Sequence, residues 1–185
     1  MELMSAIRSR RAARIFSDTL VEASEIEKTI EAATEAPSAM NLQPWAFAVL
    51  TDRQRIDGYA GRARAWMLEL PESLLGKAAR EILERPDYTF FYHAPVLLPV
   101  LAKACEIQAR EDCCLAAQNL ILAARDQGLG TCWIGFAVHW LTLPDTKREL
   151  GLPESYYVVG PIVMGYPKAW PDSHGRKAAE IHWLG

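Results

Sequence analysis

The chain has 185 residues, of which 50% are hydrophobic and 23% charged, and its formal net charge is −3. Such a chain buries roughly 70% of its unfolded surface and needs no staples for its core, so one domain over 1–185 is expected. The balance excludes disorder, collagen and coiled coil, and the negative charge argues against a general nucleic-acid coat.

In chain order, residues 24–36 read as a helix. Ser24 and Glu27 have capping-box spacing, Ile26, Ile30 and Ala33 share a face, and Pro37 closes it. Residues 45–51 read as a strand. The stretch 52–92 is the least regular, with many arginines, Pro71, Pro86, and the aromatics Tyr88, Phe90, Phe91 and Tyr92. A buried strand is expected at 96–103, although Pro99 cannot donate to a ladder. Residues 108–127 form a helix apolar on nearly all sides, which belongs in a core or at a subunit interface. Gly128 and Gly130 end it. A short strand at 131–135, a helical segment at 142–150 and a strand at 156–164 follow, the last broken by Gly165-Tyr166-Pro167. The tail, 168–185, is polar until Ile181-His182-Trp183-Leu184. Helices alternating with about four strands give a helix-flanked α+β sheet of open strand order.

Met1-Glu2-Leu3-Met4-Ser5 lacks the basic-then-apolar pattern of a secretory leader. The longest apolar stretch, 94–102, falls far short of the ~18 residues of a membrane span. A cytoplasmic protein without a membrane partner is the expectation. Cys105, Cys113, Cys114 and Cys132 include an adjacent pair, which disfavours a disulfide or zinc framework. The four histidines are scattered, and no metal-ligand spacing or Gly-x-Ser-x-Gly elbow occurs.

Four clusters remain. Arg8, Arg10, Arg11 and Arg14 fall within seven positions. If that stretch is helical, Arg10, Arg11 and Arg14 share a face suited to a phosphate or another planar anion. A solvated basic face is the plain alternative. The turn 36–45 joins small residues to Asn41 and Gln43, which suit a heterocycle edge. It reads equally as a simple helix-to-strand connection. Gly128-Leu129-Gly130-Thr131-Cys132-Trp133-Ile134-Gly135 matches neither a dinucleotide fingerprint nor a P-loop. Without a neighbouring His or Lys, Cys132 reads as a small apolar residue rather than a nucleophile. The fourth cluster is Gly165-Tyr166-Pro167 with Arg176-Lys177.

Together, in this order, these segments resemble the FMN-dependent nitroreductase superfamily. The resemblance runs through 7–16, 36–47, 112–135, 165–167 and 176–177, and leaves out 52–92, a variable cap region. It implies a nitroreductase-like α+β fold, with a central, mainly antiparallel sheet flanked by helices, in a homodimer with FMN at the interface. By carry-over, Arg10, Arg11, Ala12 and Arg14 meet the FMN phosphate, ribityl chain and pyrimidine edge. Arg176, with Lys177, completes the phosphate site. Pro37, Ser38, Ala39 and Asn41 approach from the other subunit, and Trp133, Ile134 and Gly135 lie by the isoalloxazine. Ala12 replaces the family's usual Ser, which removes a hydroxyl contact.

The implied activity is a two-step reduction: NADH or NADPH reduces FMN, and a small-molecule acceptor such as a nitroaromatic or quinone is then reduced. No protein residue is expected to be catalytic, because the cofactor carries the chemistry. The alternatives are a flavin-binding storage or regulatory module without turnover, and a specialised relative such as a reductive dehalogenase or flavin-cleaving enzyme. The segments 59–75 and 88–92 are candidates to roof the pocket, with ordinary core packing as the plain alternative.

Overall fold

The computed structural model describes all 185 residues. In chain order it contains α1 (Leu3–Ser9), α2 (Ala23–Thr34), a 3-10 turn (Ala39–Asn41), β1 (Trp45–Phe47), α3 (Arg53–Glu69), α4 (Glu72–Leu75) and α5 (Lys77–Glu84). These are followed by β2 (Val96–Ala102), α6 (Ile107–Asp126), β3 (Gly130–Trp133), α7 (Ala137–Thr142), α8 (Pro144–Glu149) and β4 (Tyr157–Gly165). The strands form one antiparallel sheet in the order β1-β2-β4-β3, flanked by helices, which is the α+β class expected.

The period-2 alternation of a strand explains both cores. On β2, Leu97 and Leu101 enter one cluster with Ile56, Tyr59 and Met67 of α3 and Trp140 of α7. Val96, Leu98, Val100 and Ala102 enter the other, with Ile26 and Ala33 of α2 and Cys113, Ala117 and Leu120 of α6. Every residue of β2 is therefore buried, and the strand has no polar face.

Pro99 is accommodated by its register. It stands opposite Pro161 on β4 and in line with Ala48 beyond β1. The Pro99 carbonyl accepts the Ala48 N–H at 3.1 Å, and the Pro161 carbonyl accepts the Ile134 N–H at 2.8 Å. In an antiparallel strand a residue's N and C=O point to the same side. Both imino nitrogens thus face the outer ladders, and the central β2–β4 ladder loses no donor to them. The loss falls at Ala48, where regular pairing stops. The strand expected at 45–51 is cut to Trp45–Phe47, and pairing resumes as a single bridge from Leu50 to Leu97.

Other boundaries also move. Helix α2 begins earlier than expected: Glu22 is its N-cap, and the Glu25 carboxylate accepts the Glu22 N–H at 2.9 Å, so the capping pair is not Ser24 with Glu27. The stretch 52–92 is largely helical rather than irregular, as α3, α4 and α5. Ile56, Tyr59, Ala63 and Met67 on α3 are all buried, at spacings of 3 and 4. The segment expected at 142–150 is α8, opened by Pro144 at its first turn, and α7 precedes it. Helix α6 is covered on one side only, since Ile107 and Leu115 are 68% and 47% exposed.

Candidate functional site

Residues 10–16 do not continue α1. The helix ends at Ser9, and Arg10 turns to an extended ψ of 130° while its N–H donates to Ala6 O at 2.9 Å. The chain then runs as an added edge beside β3. Ala12 bridges Thr131 in parallel, and the Ala13 N–H donates to Thr131 O at 2.9 Å. Further along the segment Phe16 bridges Pro167, the Ser17 N–H donates to Tyr166 O at 2.8 Å, and the Lys168 N–H donates to Ile15 O at 3.1 Å. The single helical face expected for Arg10, Arg11 and Arg14 is therefore corrected. Edge hydrogen bonds hold the segment extended, and successive side chains alternate sides.

Arg11 and Arg14 accordingly reach different cavities. Arg11, Arg8 and Arg176 line a polar cavity of about 350 Å³ with Ser173 and Gly175. Arg11 Nη1 donates to Arg8 O and Arg10 O, both at 2.7 Å, and its Nε is buried without a partner. None of the three guanidinium groups pairs with a carboxylate. Lys177 is exposed and lines none of the cavities described here. The family resemblance implies no role for Arg8, and its place in the arginine run is the sequence signal for it.

Arg14 enters a second cavity, of about 360 Å³, with Cys132, Trp133, Ile134, Gly135 and Phe136 on one side and Ile82, Tyr88 and Tyr92 on the other. The Arg14 guanidinium lies 5.9 Å from the Tyr92 ring centroid. The Trp133 indole lies over Gly160, where a Cβ would meet the ring at 2.9 Å. Gly135 faces open space. Burial pushes the Cys132 thiol up, and Arg14 and Arg10 offset only part of that shift, so the thiol stays protonated at neutral pH. Burial also raises the Tyr88 phenol. Of the expected roof, Tyr88 and Tyr92 line the cavity, whereas Phe90 and Phe91 are buried in the core and 59–75 does not line it.

The loop 36–44 is built differently. The Asp112 carboxylate of α6 accepts the Ala39 N–H at 3.2 Å, and Ser38 Oγ accepts the Gln43 N–H at 3.0 Å. Gln43 Nε2 donates to Asn41 Oδ1 at 2.9 Å, so the two amides are tied to each other through one donor and one acceptor. Met40, Asn41 and Gln43 have φ of 51°, 54° and 46°, in the left-handed region, and Met40 is 91% exposed. Within one chain this loop does not line either arginine cavity, so the structure does not bring Pro37, Ser38, Ala39 and Asn41 to Arg10, Arg11 and Arg14.

The model of the nitroreductase family matches residues 7–166. The chain belongs to the nitroreductase family. A nitroreductase-type protein of Archaeoglobus fulgidus is 32% identical over 171 residues, covering 92% of this chain and 88% of that one. The 4-nitrobenzoate reductase of a Nocardioides strain is 27% identical, covering 88% and 79%. Among solved structures, a Bacteroides fragilis nitroreductase with bound FMN superposes with a TM-score of 0.87 at 26% identity, over 100% of both chains. As in this family's fold, the sheet carries helices on both faces, and no helix is long and apolar enough to cross a membrane.

Proposed function

We propose that this nitroreductase-family chain is an FMN-dependent NAD(P)H oxidoreductase that works as a homodimer and reduces nitroaromatic, quinone or related small acceptors. The observation that carries the reading is the pair of cavities on either side of the Ala12–Thr131 bridge. One holds three guanidinium groups without carboxylates and an orphaned buried Arg11 Nε, which fits a phosphate dianion. The other is apolar and aromatic with one guanidinium, Arg14, which fits a planar heterocycle whose pyrimidine edge gains charge on reduction.

In this reading Arg8, Arg11 and Arg176 hold the FMN phosphate. Arg10 and Arg14 face the ribityl chain and pyrimidine edge. Ala12 contributes backbone only, and Trp133, Ile134 and Gly135 form the floor for the ring. When bound, FMN supplies reversible two-electron chemistry between nicotinamide and acceptor. The protein's part is to fix the cofactor, polarise its edge through Arg14 and exclude water with Tyr88, Tyr92 and Trp133. Buried, neutral Cys132 takes no part. Exposed Leu3, Met4 and Ile7 on α1, Ile107 and Leu115 on α6, and Met40 and Leu42 in the loop support a partner subunit over this side. The partner's loop would then bring Pro37, Ser38, Ala39 and Asn41 to the flavin.

The test is the visible absorbance spectrum of the purified protein before and after anaerobic addition of NADPH or NADH. Flavin bands that bleach on addition and return with a nitroaromatic or quinone support the reading. A protein that stays colourless after FMN addition and desalting overturns it. Bands that neither nucleotide bleaches would instead indicate a storage or regulatory module.

A further inference from the structure

A third cleft adjoins the ring cavity, and most of its wall takes no part in the flavin contacts above. It shares Arg14, Tyr88 and Tyr92 with that cavity and encloses about 820 Å³. Its wall carries four cations, Arg14, Arg53, Arg85 and Lys168, against two carboxylates, Asp18 and Asp87. Arg53 is paired with Asp18 at 2.9 Å, and Arg85 with Asp87 at 3.1 and 2.7 Å. Lys168 has no carboxylate partner. Its backbone is anchored to Ile15 beside the Phe16–Pro167 bridge, so the free ammonium group extends from a fixed base.

Size and charge number together select the ligand. The volume lies in the upper part of the roughly 300–1,000 Å³ range of ligand pockets, and a one-ring acceptor would leave most of it empty. One carboxylate needs one cation, whereas this wall leaves two cations, Arg14 and Lys168, without a carboxylate partner and holds a third, Arg53, by a single exposed carboxylate, which suits a multivalent anion. We propose that this cleft receives the pyrophosphate and adenosine end of NAD(P)H while the nicotinamide reaches the ring cavity past Tyr88 and Tyr92. The assignment rests on the flavin reading above and adds where the reductant is held. Lys168 and Arg53 meet the pyrophosphate, and Asp18 competes with it for Arg53. The contacts lie at an open surface, so binding weakens as salt rises.

The test is calorimetric titration of ADP-ribose, which lacks the nicotinamide, into the FMN-loaded protein, with flavin absorbance read on the same samples. Lys168→Met is expected to weaken binding about twofold to fivefold. Asp18→Asn is expected to tighten it, because Arg53 is released and a negative charge removed. Opposite signs from two surface changes would not arise from a merely structural role. A flavin-loaded protein that gives no ADP-ribose heat overturns the cleft assignment alone, as do variants identical to wild type. Benzoate binding that responds to Lys168→Met while ADP-ribose does not bind also overturns it, in favour of a carboxylate-bearing acceptor. A protein that holds no FMN overturns both readings.

Discussion

Gly130 sets how closely the arginine segment lies on β3, and replacing it by alanine gives a sharp test of the site's construction. A Cβ at Gly130 would stand 2.6 Å from Ala13 Cβ and 3.3 Å from Pro167 Cγ. A Cβ contact under 3.0 Å does not persist and ordinary contact begins at 3.4 Å, so segment 12–14 must part from β3 by about 0.4–0.8 Å. Neither obstructing group can rotate away, since one is a Cβ and the other a proline ring. Overpacking of this kind costs about 1–3 kcal/mol, and a chain of this size loses roughly 2–4 °C of Tm per kcal/mol. The separation also stretches the Ala13–Thr131 hydrogen bond, between the residues that aim Arg11 and Arg14. Gly130→Ala is therefore expected to lower both urea stability and FMN retention. Adding Ala13→Gly removes the nearer methyl and should restore part of both, leaving the weaker Pro167 contact. A single variant within about 0.5 kcal/mol of wild type, or a double variant whose losses simply add, would refute the packing account.

Other outcomes follow from the same geometry. Arg11→Ala and Arg14→Ala should each weaken FMN retention far more than Cys132→Ala, measured by flavin fluorescence after dialysis. Asp112→Ala leaves the Ala39 N–H without its partner and should cost about 1–3 kcal/mol, with faster proteolysis at 38–43. Arg62 hydrogen-bonds Glu149 and holds its carboxyl below the ordinary 4.5. A folded value below the unfolded one stabilises above pH 4.5 and is lost as pH falls through the folded value. Glu149→Gln should thus flatten the dependence of Tm on pH in that acid window. A thiol reagent at pH 8 should label exposed Cys105 in the native protein, and should reach Cys113, a buried thiol pushed up to about 12, only on unfolding.

The fold was legible where one signal dominated. The 20-residue α6 and the apolar runs of β2 and β4 lie where periodicity and hydrophobicity placed them. Helix α3 was legible in principle, since Ile56, Tyr59, Ala63 and Met67 carry its periodicity. Gly58, Gly61 and four arginines on that helix obscured it by lowering the apparent apolar content. The arginine segment could not be read locally. Its extended form depends on hydrogen bonds to Thr131 and to 166–168, more than 100 residues away. The candidate site can be read from the sequence as a set of residue types but not as a layout. Spacing could not separate Arg11 from Arg14 into two cavities, nor bring Arg8 to Arg176.

The facing prolines of β2 and β4 make the sheet mechanically uneven. Its central pair loses no donor to them, although its register shifts between Val100 and Leu101, whereas each outer strand has a missing rung, at Ala48 on one side and Ile134 on the other. One gap follows β1 at the end away from the loop 36–44, and the other lies where Ile134 leads into Gly135. The molecule is thus a stiff spine with two hinged wings. Amide exchange should be fastest at the wing ends, where the backbone can adjust by fractions of an ångström while the spine stays closed.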